Sequence, residues 1–329
     1  MPLEPTPKDV VFRDGTARLL RFRSKGGGVP LLLVPSLINR WYVLDLRPSA
    51  SLVEAMVAAG IDTYCLDWGV PEDEDRYLSW EDVLGRLDRV ARFVQRSTGA
   101  PKLAVLGYCM GATLSAIWAS QHDSRLAALI DLAGPIDFSQ AGVLATMVDE
   151  RWFDVDAIAA AGNVSPQQMQ SGFQAMRPTQ NMAKLFGFLD RAQDPASRNA
   201  FFALEEWAND NVPFPAAAYK TYIEELYQKN SLFAGTHRVF GQPAQLSSIT
   251  APTMVIGADR DAICPLPAAR ALLESVSSTD KELLVVPGGH VGAVIGKNAS
   301  KVLYPGIARW LAKYGVGARV RPEPVQLAH

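Results

Sequence analysis

Cysteine is scarce in this chain: 329 residues contain three, Cys65, Cys109 and Cys264. Three scattered cysteines cannot build a disulfide framework, and an odd count suits a reducing compartment. At least one thiol therefore asks for another explanation. Histidine is scarce as well, at four residues. No Cys-x-x-Cys or His-Glu-x-x-His spacing occurs, so no metal site is expected. Neither sign of charge is in excess: 32 Lys and Arg stand against 34 Asp and Glu. Without a basic surplus or a Lys/Arg-rich block, the chain is not expected to hold a nucleic-acid backbone. Long apolar runs are absent too. No segment reaches about eighteen uninterrupted apolar residues, and the start, Met1-Pro-Leu-Glu-Pro-Thr-Pro, has neither the basic head nor the apolar stretch of a signal peptide. These absences predict a cytoplasmic protein with no transmembrane segment.

What is present is the composition of a globular protein, 48% hydrophobic and 20% charged, long enough to bury a large core. Asp14-Gly15 between Val10-Val-Phe-Arg and Ala17-Arg-Leu-Leu-Arg-Phe predicts an opening β-hairpin. Six short apolar runs follow, beginning near Pro30, Ile61, Leu103, Leu126, Thr253 and Glu282, each suited to a buried parallel strand. Helical patterns lie between them: Val83, Leu84, Leu87, Val90, Ala91 and Val94 share one face of a helix over 80–97. A last helix over 299–313 carries Pro305, which kinks it or marks its start. This alternation predicts an α/β fold, a mostly parallel sheet covered by helices on both faces. From about Ser139 to Ser248 the pattern turns helical with no convincing strand. Residues 1–138 and 249–329 are therefore expected to form the core, and 139–248 an inserted helical cap. Gly26–Gly28 is expected to be a flexible loop, and the tail after Gly315 to be poorly ordered.

Gly107-Tyr-Cys-Met-Gly111 follows the Leu103 strand and precedes the helical stretch from Ala112. Strand, sharp turn and helix in that order are similar to the nucleophile elbow of the α/β-hydrolase fold, with Cys109 where most such enzymes carry serine. A nucleophile held in a strained turn brings the residues two before and two after it against the strand and helix, where only glycine fits. The turn also aims a helix N-terminus at the sulfur, which favours negative charge there.

Such a nucleophile needs a base and an orienting acid later in the chain. Asp261 lies directly after the Thr253 strand, in Gly257-Ala-Asp-Arg-Asp-Ala-Ile-Cys-Pro265. Asp259 is its rival, and the proline four residues on favours Asp261. His290 follows the Glu282 strand in Pro287-Gly-Gly-His-Val-Gly, where glycines leave the imidazole an uncrowded approach. His122, His237 and His329 have no such setting. Backbone N–H groups of Met110 and Leu37 are expected to hold the oxyanion, with Ser36 the weaker choice for the second. Cys65 reads as core and Cys264 as a neighbour of the Asp261 loop.

Together with Val34-Pro-Ser-Leu-Ile-Asn-Arg, Leu66-Asp-Trp-Gly, Gly134-Pro-Ile-Asp-Phe and Tyr227-Gln-Lys-Asn, these motifs make the chain from about Pro30 to Leu311 resemble the polyhydroxyalkanoate synthases. Its length resembles the short catalytic subunit of the two-subunit type. Ala112 and Leu266 depart from that pattern, standing where a second glycine and a second proline are common. The resemblance implies an acyltransferase that polymerises (R)-3-hydroxyacyl-CoA through an acyl group on Cys109, with Asp261 and His290 completing the triad. It implies no bound cofactor, since coenzyme A arrives on the substrate and is released. It also implies a growing polyester as partner, a small helical synthase subunit, a homodimer, and a place at the surface of polyester granules. A thioester on cysteine is nearly isoenergetic with the incoming one, which suits such transfer. Trp152, Phe153, Phe173, Phe186, Phe188 and Trp207 are candidates to keep water from it. Two other functions fit the same residues: a cysteine hydrolase acting on an ester, lactone or polyester, and a non-catalytic granule-associated relative.

Overall fold

The computed structural model describes residues 3–23, 27–176 and 193–317. β1 (Asp9–Asp14) and β2 (Ala17–Phe22) pair antiparallel across the Asp14-Gly15 turn, where Gly15 takes a φ of 58° that favours glycine. Then come β3 (Leu31–Val34), α1 (Leu52–Ala58), β4 (Thr63–Asp67), α2 (Trp80–Thr98), β5 (Leu103–Tyr108), α3 (Met110–His122) and β6 (Leu126–Leu132). The next described helices are α4 (Gly142–Met147), α5 (Val155–Ala160), α6 (Pro166–Met176), α7 (Pro195–Asn209) and α8 (Ala216–Thr221), which runs on into a π-helical turn, Tyr222–Gln228. The chain then returns through β7 (Thr253–Ala258), α9 (Leu266–Ser275), β8 (Lys281–Val286), α10 (Gly292–Ile295) and α11 (Tyr304–Ala312).

The eight strands form one sheet in the order β1-β2-β4-β3-β5-β6-β7-β8, parallel from β4 onward. Strand periodicity decides which side chains go where. Leu31, Leu33, Leu106 and Ile256 enter one buried cluster with Trp41 and the α11 residues Ile307, Trp310 and Leu311. Their neighbours Leu32, Val34, Val105 and Val255 enter another, with α2, α3 and α9. β3 and β5 are buried along their whole length, whereas β8 alternates exposed and sheltered residues, as an edge strand does.

α2 begins where Ser79 and Asp82 exchange side-chain and backbone hydrogen bonds in a capping box, and ends at Gly99 with φ 70°. Two expectations need correction, and a third, open between two outcomes, is decided. The segment between β6 and β7 is not wholly helical: Arg238–Val239 and Gln242–Pro243 pair as a small ribbon, and Val164 bridges Phe214. Pro305 marks the start of the last α-helix, one of the two outcomes expected for it: a π turn over Ala299–Leu303 leads into α11, whose first turn holds the proline, where a missing N–H costs no bond. Just past Gly315 the chain is still anchored: Val316 is buried and bridges Val29, so apolar burial holds it in place. Residues 24–26 and the end from 318 lie outside the described residues.

Candidate active site

Cys109 sits at the sharp turn between β5 and α3, with φ 56° and ψ −129°, a backbone region that non-glycine residues rarely enter. Its N–H donates to Leu132 O at 2.9 Å, which pins the turn to β6. A Cβ on Gly107 would overlap Ala112, and one on Gly111 would overlap the Val34 carbonyl. Sterics therefore dictate both glycines. Ala112 is accommodated because Gly134 opposes it: a side chain on Gly134 would run into the Ala112 methyl. Leu266 likewise fills the space over Gly257.

His290 and Asp261 come to the same end of the sheet from the loops after β8 and β7. Their Nδ1 and Oδ2 are 2.7 Å apart, and both side chains are buried. The other carboxylate oxygen of Asp261 accepts from the backbone N–H groups of Ile263 at 2.8 Å and Cys264 at 2.9 Å, which fixes its orientation. Asp259 is turned elsewhere. It is half exposed and accepts from Gly288 N at 2.7 Å, holding the β8 loop to the β7 loop. Cys109 lines the same pocket as His290, near enough for its sulfur to act on the ring's charge. Burial works against a charged ring, but the Cys109 sulfur and the bond to Asp261 outweigh it, and the His290 pKa is pushed up to about 10. The imidazole is thus bonded to a carboxylate and shares its pocket with a thiol, an arrangement in which one ring can take and return a proton.

A pocket of about 370 Å³ opens over Cys109 and His290, walled by Ile38, Asn39, Phe173, Leu204, Trp207 and Ile263. Trp207 and Phe173 thus stand where the sequence places water-excluding aromatics. Trp152 does not: it is 57% exposed and absent from the pocket wall. Phe153 packs half-buried against the core, and Phe186 and Phe188 lie outside the described residues. A larger hollow of about 650 Å³ lies between α2, the end of α3 and the small ribbon, away from Cys109. The chemistry of the side chains, not size, marks the smaller one as the site.

Met110 begins α3, and Leu37 lies buried in the loop after β3. That loop is held by two sets of contacts. Trp68 of the Asp-Trp-Gly motif donates its Nε1–H to Pro35 O at 3.0 Å, while Asp67 takes Arg18 and the Gly69 N–H. From the other side, Trp207 Nε1 donates to Arg40 O at 2.9 Å, Asn39 bonds Asn211 at 2.6 Å, and Tyr42 bonds Asp210 at 2.7 Å. Sequence reading held Asn39 only as part of a motif and missed Asp210 and Asn211, since polar residues about 170 positions apart carry no local signal of their pairing. Two other motifs also meet: Asn230 accepts from Phe138 N at 2.9 Å and donates to Asp137 at 2.8 Å.

Cys65 is core in β4, and burial pushes its thiol well up. Cys264 is buried beside the Asp261 loop and is pushed up in the same way. His122 stacks on Trp118, and His237 is buried against Ser231; His329 lies outside the described residues. Among the described residues no helix is long and apolar enough to cross a membrane, and no three His, Cys, Asp or Glu cluster as metal ligands.

A mostly parallel sheet flanked by helices, with a cysteine at a glycine-bounded elbow and an aspartate and a histidine on the following strand-end loops, has the layout of the α/β-hydrolase class. The family model described as alpha/beta hydrolase fold matches residues 29–296. Solved structures agree on the fold: a soluble variant of monoglyceride lipase from Saccharomyces cerevisiae superposes with a TM-score of 0.58 at 15% identity, covering 95% of this chain and 99% of that one. Within that class, the chain belongs to the poly(3-hydroxyalkanoate) polymerase family. It is 30% identical to the poly(3-hydroxyalkanoate) polymerase subunit PhaC of Allochromatium vinosum, over 93% of this chain and 88% of that protein. It is also 30% identical to the PhaC of Haloferax mediterranei, over 94% of this chain and 64% of that longer relative. Against the Cupriavidus necator PhaC, also 30% identical, it spans 51% of the relative's length.

Proposed function

We propose that this protein is an acyltransferase that polymerises (R)-3-hydroxyacyl-CoA into polyhydroxyalkanoate. The observation that carries the reading is His290, hydrogen-bonded to Asp261, sharing an apolar pocket with Cys109, in a chain whose relatives over almost its whole length are poly(3-hydroxyalkanoate) polymerases. The Cys109 sulfur attacks the thioester carbonyl, and the N–H groups of Met110 and Leu37 hold the oxyanion. Collapse expels the coenzyme A thiolate, which takes the His290 proton, and leaves the acyl group on Cys109. His290 then accepts the proton of an incoming 3-hydroxyl, whose oxygen attacks that thioester. A new ester forms and Cys109 is released. Asp261 orients the ring and stabilises its charged form.

Residues 139–248 act as a cap that keeps water from the acyl-enzyme, so that a substrate hydroxyl is the acceptor. The reaction needs no cofactor. The working form is a homodimer in the cytoplasm, at the surface of polyester granules and aided by a small helical subunit. The test feeds purified protein (R)-3-hydroxybutyryl-CoA, with and without such a subunit, and follows free thiol and polymer together. Polymer in step with thiol, lost in Cys109→Ala, is expected. Thiol without polymer would make the protein a cysteine hydrolase, and wild-type turnover by Cys109→Ala would remove the mechanism.

A further inference from the structure

The residue before Cys109 has no part in the mechanism above, yet its buried hydroxyl is left without a partner at the site. Tyr108 is 2% exposed and lines the pocket over Cys109, and its hydroxyl has no hydrogen-bond partner among the described residues. Trp80 Nε1 and Trp310 Nε1 are also buried without partners, but neither residue lines this pocket. The Tyr108 ring stacks on the His290 imidazole, with centroids 5.3 Å apart and planes 26° from parallel, so it cannot swing away without uncovering the base. A buried hydroxyl without a partner is destabilising, and a site-lining one finds relief when a ligand supplies the missing bond.

We propose that the Tyr108 hydroxyl is a substrate contact, pairing with the oxygen on the third carbon of the acyl group and so selecting 3-hydroxyacyl over plain acyl thioesters. The assignment rests on the polymerase reading and follows from the polar atoms such a substrate offers. Its carbonyl oxygen is taken by backbone N–H groups, and its second carbon carries no polar atom. The next oxygen stands on the third carbon, three bonds from the carbonyl carbon. It is a hydroxyl in the substrate and an ester oxygen in the chain, and both accept a hydrogen bond. Tyr108 remains a donor throughout, because burial, with Cys109 and Asp261 nearby, keeps its proton in place.

Tyr108→Phe keeps the ring on His290 and removes only the oxygen. Single-turnover coenzyme A release is measured for wild type and variant with (R)-3-hydroxybutyryl-CoA and with butyryl-CoA. The wild type is expected to prefer the hydroxylated substrate by about tenfold or more, and the variant to lose about tenfold on it while changing less than about twofold on butyryl-CoA. A buried hydroxyl that served only the fold or His290 would move both substrates alike, so equal losses, or none, overturn the assignment. A wild-type ratio near one overturns it whatever the variant does. Absence of release from either substrate by the wild type would instead bring down the polymerase reading itself.

Discussion

Burial disfavours a proton on the His290 ring, whereas the Cys109 sulfur and Asp261 favour one. In Cys109→Ala the sulfur's contribution is gone and desolvation gains weight, so the ring should titrate well below its wild-type value of about 10. NMR titration of the ring resonances checks this, and an unchanged pKa would mean that Cys109 does not hold the proton. The two carboxylates of the β7 loop should separate as sharply. Asp261→Asn leaves the ring without its charged partner and should slow polymer formation about a hundredfold or more. Asp259→Asn can still accept from Gly288 N, loses only its charge and an exposed ion pair with Arg260, and should stay within a few-fold of wild type. The reverse ranking in steady-state assays would show the wrong carboxylate assigned. Choosing between them from sequence rested on a proline; burial and the 2.7 Å bond to His290 make the choice physical.

The elbow was legible in the sequence because its constraints are local. Two glycines at fixed spacing from a cysteine, between a strand and a helix, report a backbone that tolerates no Cβ at either place. Gly111→Ala would drive a methyl into the Val34 carbonyl, backbone that cannot swing aside as a side chain can. It should cost about 3 kcal/mol, read as a lowered urea midpoint, with acylation falling too; an unchanged midpoint would show that the elbow can shift. The seam between α7 and the β3 loop was not legible. Trp207 meets Arg40, and Asp210 meets Tyr42, only because α7 lies across that loop. Asp210→Ala leaves the Tyr42 hydroxyl unpaired and loosens the loop that carries Leu37. Polymerisation should fall about tenfold with a loss of roughly 1 kcal/mol in stability, measured side by side. Unchanged turnover would show that the loop does not depend on the seam.

At the scale of the whole molecule, the described apolar residues form two separate cores, with alternate strand residues entering one or the other. Leu87 is buried on α2 in one, and Ile307 on α11 in the other. Each truncation to alanine should cost about 3 kcal/mol, and the pair should add to within about 0.5 kcal/mol, as distant sites without shared partners do. Urea unfolding of both single variants and the double variant tests this; a larger departure would mean that the sheet transmits strain between its faces. The sequence by itself determined the strands, the order of helices between them, the elbow, and the chain order of Cys109, Asp261 and His290. Each is written in local patterns: apolar runs of strand length, helical periodicity, and glycines where a turn excludes side chains. Only the tertiary structure decided that His290 reaches Asp261 rather than Asp259, that Trp207 and Phe173 rather than Trp152 face the pocket, and that the Tyr108 hydroxyl is left without a partner. These depend on which loops the packed sheet brings together, and distance in space has no counterpart in distance along the chain.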